Sequence, residues 1–394
     1  MHEVWIVATA TVSALGESQQ KTWQKLLAGE SGISSLKRFS TSPYYSEIAA
    51  EIKDLQIDSQ SGSHLPTLLQ KLFKEFPTTL PASCSLIGAT LKGAIDRQEN
   101  IWRQEMMPDK NSKALNCDNQ PPKNRTASKP LPCEVAAWVA QHFELNDPGI
   151  TINAACASST IALTTAASRI ANGQQNAILV WAAEILSEFV FAGFASLQAL
   201  APDICRPFSK NRNGLALGEG AAALLLMSAQ QAKREGYQPL AIIKGWGVAN
   251  DAVHLTAPAQ DGRGLIKACQ RALKRAALKP EKIAAINAHG TGTIHNDTME
   301  IAAFAKLFGQ HKIPFHSVKG ALGHTLGAAG ALETVVGVES LKNQQLPPTI
   351  GLKEAEDEVS ELVSSEIQNF SGNHLLLTNS GFGGVNAALI LAKT

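Results

Sequence analysis

The sequence predicts an α/β protein built from two similar halves, and three observations predict it. Apolar, strand-like runs alternate with helix-spaced amphipathic segments along the whole chain. The stretch NAILVWAAEI, residues 176–185, is apolar nearly throughout, as suits a strand covered on both faces of its sheet. The second half repeats the grammar of the first, opening on a strand and placing unusual residues at strand ends. The predicted units are residues 1–235 and 236–394.

Taken in order, VWIVAT (4–9) reads as a strand and SQQKTWQKLLAGESGI (18–33) as a helix stopped by Gly29 and Gly32. Residues 40–65 are polar and irregular, and LPTLLQKLFKEF (65–76) is amphipathic at helical spacing. SLIGATLKGAID (85–96) reads as a strand running into a turn. Residues 103–132 are polar and proline-containing, which predicts a surface loop. Beyond it CEVAAWVAQHFEL (133–145) is helical, GITINAA (149–155) extended and SSTIALTTAASRIANG (158–173) helical. GLALGEGAAALLLMS (214–228) gives two extended segments broken by glycines, and QQAKREGY closes the first half. In the second half LAIIKGWGVAND (240–251) is a strand, and residues 262–278 form a helix with Leu265, Cys269, Leu273 and Ala276 on one face. KIAAINAHGTGT (282–293) is a strand ending in a glycine loop, followed by helices at 298–309 and 323–343. HLLLTNSGFGGVNAALILAK (374–393) is a strand pair around a glycine turn.

The 394 residues are 44% hydrophobic and 18% charged, ordinary values for a chain with a large core. A net charge of +1 gives no global field for nucleic acid or an anionic membrane, so neither is an expected partner. Six cysteines are scattered without metal-like spacing, which points to free thiols in a reducing compartment. The opening apolar run lacks a basic flank and reads as a buried strand, not a signal peptide. No run is long enough to span a bilayer, so a cytoplasmic protein is expected.

Four stretches carry residues capable of chemistry. In NAACASST, Cys156 lies where an extended run meets a helix start, and helix N-terminal N–H groups favour a thiolate. A buried packing cysteine is the alternative. In NAHGTGT, His289 ends an apolar strand, and Thr291 and Thr293 bring hydroxyls to the loop. In SVKGALGHTLGAAG, Lys319 and His324 straddle glycines; a phosphate loop is excluded because the G-x-x-x-x-G-K-[ST] order is missing. In NSGFGGVN, glycines flank Phe382. One cysteine and two histidines so far apart in sequence lack the local spacing of a zinc site, and no metal is expected. His295, Asp297 and Glu300 form the one local cluster of ligand types, read as a hydrogen-bond or ion-pair network.

Together, and in this order, NAACASS (153–159), CRPFSKNRNGLALGEGAA (205–222), NAHGTGTIHND (287–297), SVKGALGHTLGAAGALE (317–333) and NSGFGGVNAAL (379–389) are specific. The chain resembles the β-ketoacyl-acyl carrier protein synthases, the ketosynthases that elongate fatty acids and polyketides. The resemblance is close over residues 153–390, fair over 1–40 and poor over 40–135. It implies a thiolase-like, five-layered α-β-α-β-α fold, usually dimeric, and decarboxylative Claisen condensation. Cys156 would carry the acyl group, and His289 and His324 would stabilise the enolate left when malonyl thioester loses CO₂. The backbone N–H groups of Cys156 and Phe382 would form the oxyanion hole, with Phe382 also gating the acyl pocket. Lys319 would support the histidines, Glu333 would pair with Lys319, and Thr291 and Thr293 would bind the pantetheine amides. No cofactor is implied: substrates ride on the phosphopantetheine of an acyl carrier protein.

The chain departs from the family pattern at TIHND, at Ser380 and Ser209, and through residues 84–135. These departures point to a specialised polyketide or aryl-polyene system, and Cys156 points to this chain as the active subunit of a homodimer or of a heterodimer with a chain-length-factor-like partner. Two clusters could face an acidic carrier: Arg103, Lys110, Lys113, Lys123, Arg125 and Lys129, and Arg206, Lys210 and Arg212. The competing readings are a non-elongating acyltransferase or a non-catalytic chain-length subunit on the same scaffold. A thiolase is disfavoured because NSGFGGVN holds no second cysteine.

Overall fold

In the computed structural model of the chain, residues 1–106 and 131–394 are described. Ten strands build the framework. Five belong to the first half: β1 (Val4–Ser13), β2 (Cys84–Ala89), β3 (Ile150–Ile152), β4 (Ala177–Glu184) and β5 (Gly220–Ser228). Five belong to the second: β6 (Ala241–Asn250), β7 (Ala285–Asn287), β8 (Phe315–His316), β9 (His374–Gly381) and β10 (Val385–Ala392). The first set is ordered β3-β2-β4-β5-β1 and the second β8-β7-β9-β10-β6. The two orders are the same, and so are the directions: the first three strands of each set are parallel and the last two steps antiparallel. A short antiparallel contact, Val4–Ile6 against Ala241–Ile243, joins them.

Among the helices of the described residues, these cover the sheets: α1 (Gln19–Leu27), α2 (Leu65–Lys74), α3 (Pro132–His142), α4 (Ser158–Ala171), α5 (Arg263–Ala276), α6 (Ile294–Phe308) and α7 (Ala329–Asn343). Alternation along each strand decides which layer it contacts. In β4, Ile178 and Val180 join the core formed with Leu163 and Ile170 of α4 and Val335 and Val336 of α7. Leu179 and Trp181 face the opposite way, onto Leu68 and Leu72 of α2 and Val139 of α3. In β9, Leu375 and Leu377 turn to the α4–α7 core, while Leu376 packs with Leu265 and Leu273 of α5 and Phe304 of α6. The result is the five-layered α-β-α-β-α arrangement. Helix α5 lies so close to β6 that a Cβ at Gly245 would stand 2.2 Å from the Ala272 carbonyl oxygen.

Several boundaries differ from the sequence reading. The loop expected over 103–132 is helical at its start, within the helix Ile95–Met106, and Pro132 opens α3. Helix α6 begins at Ile294, not 298, because the Thr293 side chain caps it by accepting from the Asn296 N–H. The helix expected over 323–343 begins only at Ala329. Tertiary pairing holds His324 out of it: the His324 N–H donates to the Ala216 carbonyl at 2.7 Å, and its carbonyl accepts from the Gly218 N–H at 3.1 Å. No helix among the described residues is long and apolar enough to cross a membrane.

Candidate active site

Cys156 stands on a sharp turn between β3 and α4, two residues before the helix begins. Ala155 takes a left-handed φ of 49° there. The Ser158 hydroxyl closes the turn, donating to the Ala155 carbonyl at 2.6 Å while accepting from the Ala154 N–H at 2.8 Å. The backbone N–H groups of Cys156 itself and of Phe382 lie near enough to the sulfur to favour its anion. Gly381 permits this approach, since a Cβ there would come 3.0 Å from the Cys156 nitrogen.

The imidazole of His324 reaches the same point, its Nε2 3.0 Å from the Cys156 Sγ. Its Nδ1 accepts from the Leu326 N–H at 3.3 Å, so in the neutral ring the proton sits on Nε2. His289 meets His324 edge-on, with ring centres 5.2 Å apart and planes at 83°. The His289 Nδ1 lies 3.2 Å from the Lys319 Nζ and 3.3 Å from the Asn379 Nδ2. Both of those groups are donors, so this ring too carries its proton on Nε2. Burial, reinforced by the Lys319 charge, pushes both histidines well below their ordinary range and keeps them neutral. The sulfur and the two ring nitrogens lie within 4.8 Å of one another, a spacing that could suit a metal. Protonated Nε2 atoms, however, are hydrogen-bond donors and not ligands.

The expectation of a resting thiolate is not met. Burial pushes the Cys156 thiol up to about 11, against the opposing pull of Lys319 and of the two backbone N–H groups. The helix end supplies only backbone donors to a buried sulfur, and desolvation is the larger effect. The ligand-free nucleophile is therefore a thiol whose proton leaves as it reacts.

Lys319, 1% exposed, ties the site together. It pairs with Glu333 and donates to the His289 carbonyl at 2.6 Å. The other Glu333 oxygen accepts from the Asn379 amide at 2.6 Å, and Asn379 Oδ1 accepts from the Thr160 hydroxyl. The Thr-Gly-Thr loop is hung on two buried carboxylates: Asp297 accepts from the Phe208, Thr291 and Gly292 N–H groups, and Glu300 from those of His289 and Gly290. The Thr291 and Thr293 hydroxyls lie 2.9 Å apart. Both threonines line a cavity of about 510 Å³ that leads to Cys156, His289 and His324. Phe382 stands at its wall, stacked on Phe194 with ring centres 5.6 Å apart.

Thus the structure brings Cys156, His289, His324, Lys319, Glu333, Thr291, Thr293 and Phe382 to one place. The sequence reading missed Asn379 and Thr160; Asn379 opens the quoted stretch NSGFGGVN, which was the available signal. His295 lines the cavity, apart from the buried Asp297 and Glu300 network. In the second basic cluster every cation is already paired within the chain. Arg206 and Arg212 are buried and bonded to Asp203 and Glu356, and Lys210 is held by Glu354 at 2.8 Å and Asp357 at 2.7 Å. Arg103 pairs with Glu188, while Lys110, Lys113, Lys123, Arg125 and Lys129 lie outside the described residues.

Chemically, the arrangement offers a nucleophile with two backbone N–H groups for one oxyanion and two imidazole N–H groups for another. Comparisons with known proteins agree. The β-ketoacyl synthase N-terminal domain matches residues 87–232 and the C-terminal domain matches residues 240–353. The 3-oxoacyl-[acyl-carrier-protein] synthase 2 of Coxiella burnetii is 31% identical, over 99% of this chain and 98% of its own length. The ishigamide ketosynthase/chain length factor superposes with a TM-score of 0.88 at 25% identity, covering 100% of this chain and 99% of that one. A ketosynthase in complex with its chain length factor from Xenorhabdus doucetiae gives a TM-score of 0.79 at 25% identity, covering 100% of this chain and 98% of that one. With these likenesses falling on a fold and a site already assembled from its own residues, this chain belongs to the β-ketoacyl synthase family.

Proposed function

We propose that the chain is a β-ketoacyl-acyl carrier protein synthase that performs decarboxylative Claisen condensation. An acyl thioester enters the cavity and the Cys156 sulfur attacks its carbonyl. The thiol proton leaves, the new C–S bond forms, and the carrier's phosphopantetheine departs as a thiol. The N–H groups of Cys156 and Phe382 hold the oxyanion of that step. A malonyl thioester then takes the carrier's place and loses CO₂. The electron pair of the broken C–C bond moves into an enolate whose oxygen accepts from the Nε2–H groups of His289 and His324. The enolate carbon attacks the acyl-cysteine, and Cys156 is released. Thr291 and Thr293, lining the entrance, suit the pantetheine amides. The reading calls for no metal or cofactor, only the carrier-borne substrates.

One observation carries it: two imidazoles whose Nδ1 atoms both accept, leaving two N–H donors beside one sulfur. The same observation disfavours a non-catalytic chain-length subunit and a simple acyltransferase, for which the paired donors have no use. Carrier protein is the proposed partner. A chain-length-factor-like subunit is the proposed dimer mate, supported by the likeness to ketosynthases named with such partners. A specialised polyketide or aryl-polyene pathway and a cytoplasmic location complete the reading; the free thiols support the latter. Intact-mass measurement after incubation with acyl carrier protein, paired with CO₂ release from malonyl carrier protein, tests it. A mass gain on Cys156 and CO₂ release are expected; absence of both removes the reading.

A further inference from the structure

Glu184 ends β4 and is 3% exposed, a buried carboxyl for which the mechanism above has no use. Its Oε1 accepts from the Leu91 N–H at 2.5 Å and lies against the backbone of Gly327. Gly327 is the middle of the 3₁₀ turn Leu326–Ala328 that separates His324 from α7. A Cβ at Gly327 would stand 2.7 Å from the Glu184 Oε1, so the glycine is where backbone and carboxyl meet. The residue before it, Leu326, holds a φ of 49°, a left-handed conformation that strains any residue with a Cβ. The Leu326 N–H is the group that donates to the His324 Nδ1.

These contacts form one chain from Glu184 to the sulfur. The carboxyl packs against Gly327, the turn holds Leu326 left-handed, the Leu326 N–H occupies Nδ1, and the proton of His324 stays on Nε2, 3.0 Å from Cys156. We infer that Glu184 is a positioning residue for His324, which holds a strained turn whose one N–H selects the imidazole tautomer. Without it the turn relaxes, Nδ1 loses its donor, and the Nδ1–H tautomer, which offers the site no donor, becomes populated. The kinetic part of this inference rests on the condensation reading; the tautomer part does not.

The test uses the full chain with ¹⁵N-labelled histidine, His324 being identified by its loss in His324→Ala. In the unmodified protein the His324 resonances are expected to report a single Nε2–H tautomer. Glu184→Gln keeps the shape but loses one acceptor oxygen, and a mixed tautomer is expected. With it, CO₂ release from malonyl carrier protein falls about tenfold or more, while acyl loading of Cys156 changes by less than about threefold. Adding Leu326→Gly, which makes the left-handed φ free of strain, restores most of the lost rate. An unchanged tautomer, or equal loss of loading and CO₂ release, overturns the inference. Should Glu184→Gln fail to fold, Gly327→Ala carries the same test by pushing the turn off an intact Glu184, with the same outcomes expected and excluded. If the unmodified protein releases no CO₂, the condensation reading fails, and the tautomer result still decides the role of Glu184.

Discussion

The Nδ1 atom of His289 lies 3.2 Å from the Nζ of Lys319, and that contact fixes the tautomer of the imidazole. An ammonium has no lone pair to offer, so Nδ1 accepts and the ring proton resides on Nε2. The same ammonium pairs with the buried Glu333, and Asn379 bonds both Glu333 and His289. Burial, with the positive charge adding to it, keeps both histidines neutral, which a donor to an enolate oxygen requires.

Removing that ammonium strands Glu333, 2% exposed, without its counter-charge. Lys319→Ala is expected to cost about 3–5 kcal/mol of stability, as loss of one partner of a buried pair does. Denaturant titration measures it. The double variant Lys319→Met/Glu333→Gln is expected to recover part of the stability but not the CO₂ release, because His289 has lost the ammonium at Nδ1 and keeps only the Asn379 amide there.

His324→Ala is expected to lower CO₂ release about 10²–10³-fold, the usual cost of one oxyanion donor, with a smaller effect on acylation of Cys156. Stopped-flow CO₂ detection and intact mass separate the two steps. Equal losses in both would contradict the assigned role.

Neutral imidazoles set a pH signature. Both histidines are held well below 6.5, so CO₂ release is expected to stay level as pH falls from 7.5 to 6, with no half-loss near the ordinary histidine value. A rate profile with an acid limb centred at 6.5 would refute this.

Stability responds to pH through the buried carboxyls. Burial raises Glu184 to about 8 and Glu300 to about 7, from 4.5. A carboxyl with a raised native value binds its proton more tightly when folded. Its contribution is complete below 4.5 and is lost as pH rises through the native value. The melting temperature is therefore expected to lose this contribution between pH 4.5 and 8, and the loss is expected to be smaller in Glu184→Gln. Calorimetry across that range checks both.

Gly330 marks where α7 meets α4: a Cβ there would come 1.9 Å from the Thr160 hydroxyl and 2.8 Å from the Asn379 Oδ1. Gly330→Ala is expected to cost roughly 1–3 kcal/mol and to lower CO₂ release, because the displaced Asn379 is shared with His289. Thermal melting and the CO₂ assay read the two effects.

Much of this was legible in the chain itself. Strand and helix periodicity predicted the alternating architecture, and apolar β4 predicted a sheet covered on both sides. Cys156, His289, Lys319 and His324 were visible because each sits in small, glycine-bounded stretches at the end of a regular element. Other features were not legible. The late start of α7 follows from pairing between His324 and residues 216 and 218, more than a hundred positions away. Asn379 and Glu184 are single polar residues at strand ends, and nothing local tells which carboxyl or amide a distant loop will need.

The order of residues along the chain thus determined which chemistry is available here: one thiol, two imidazoles, and a lysine with a carboxylate fourteen positions on. Only the folded arrangement decided the states of those groups, because ionisation and tautomer are set by dehydration and by donors arriving from other segments. It made the thiol protonated at rest, both imidazoles neutral, and both free N–H groups Nε2–H.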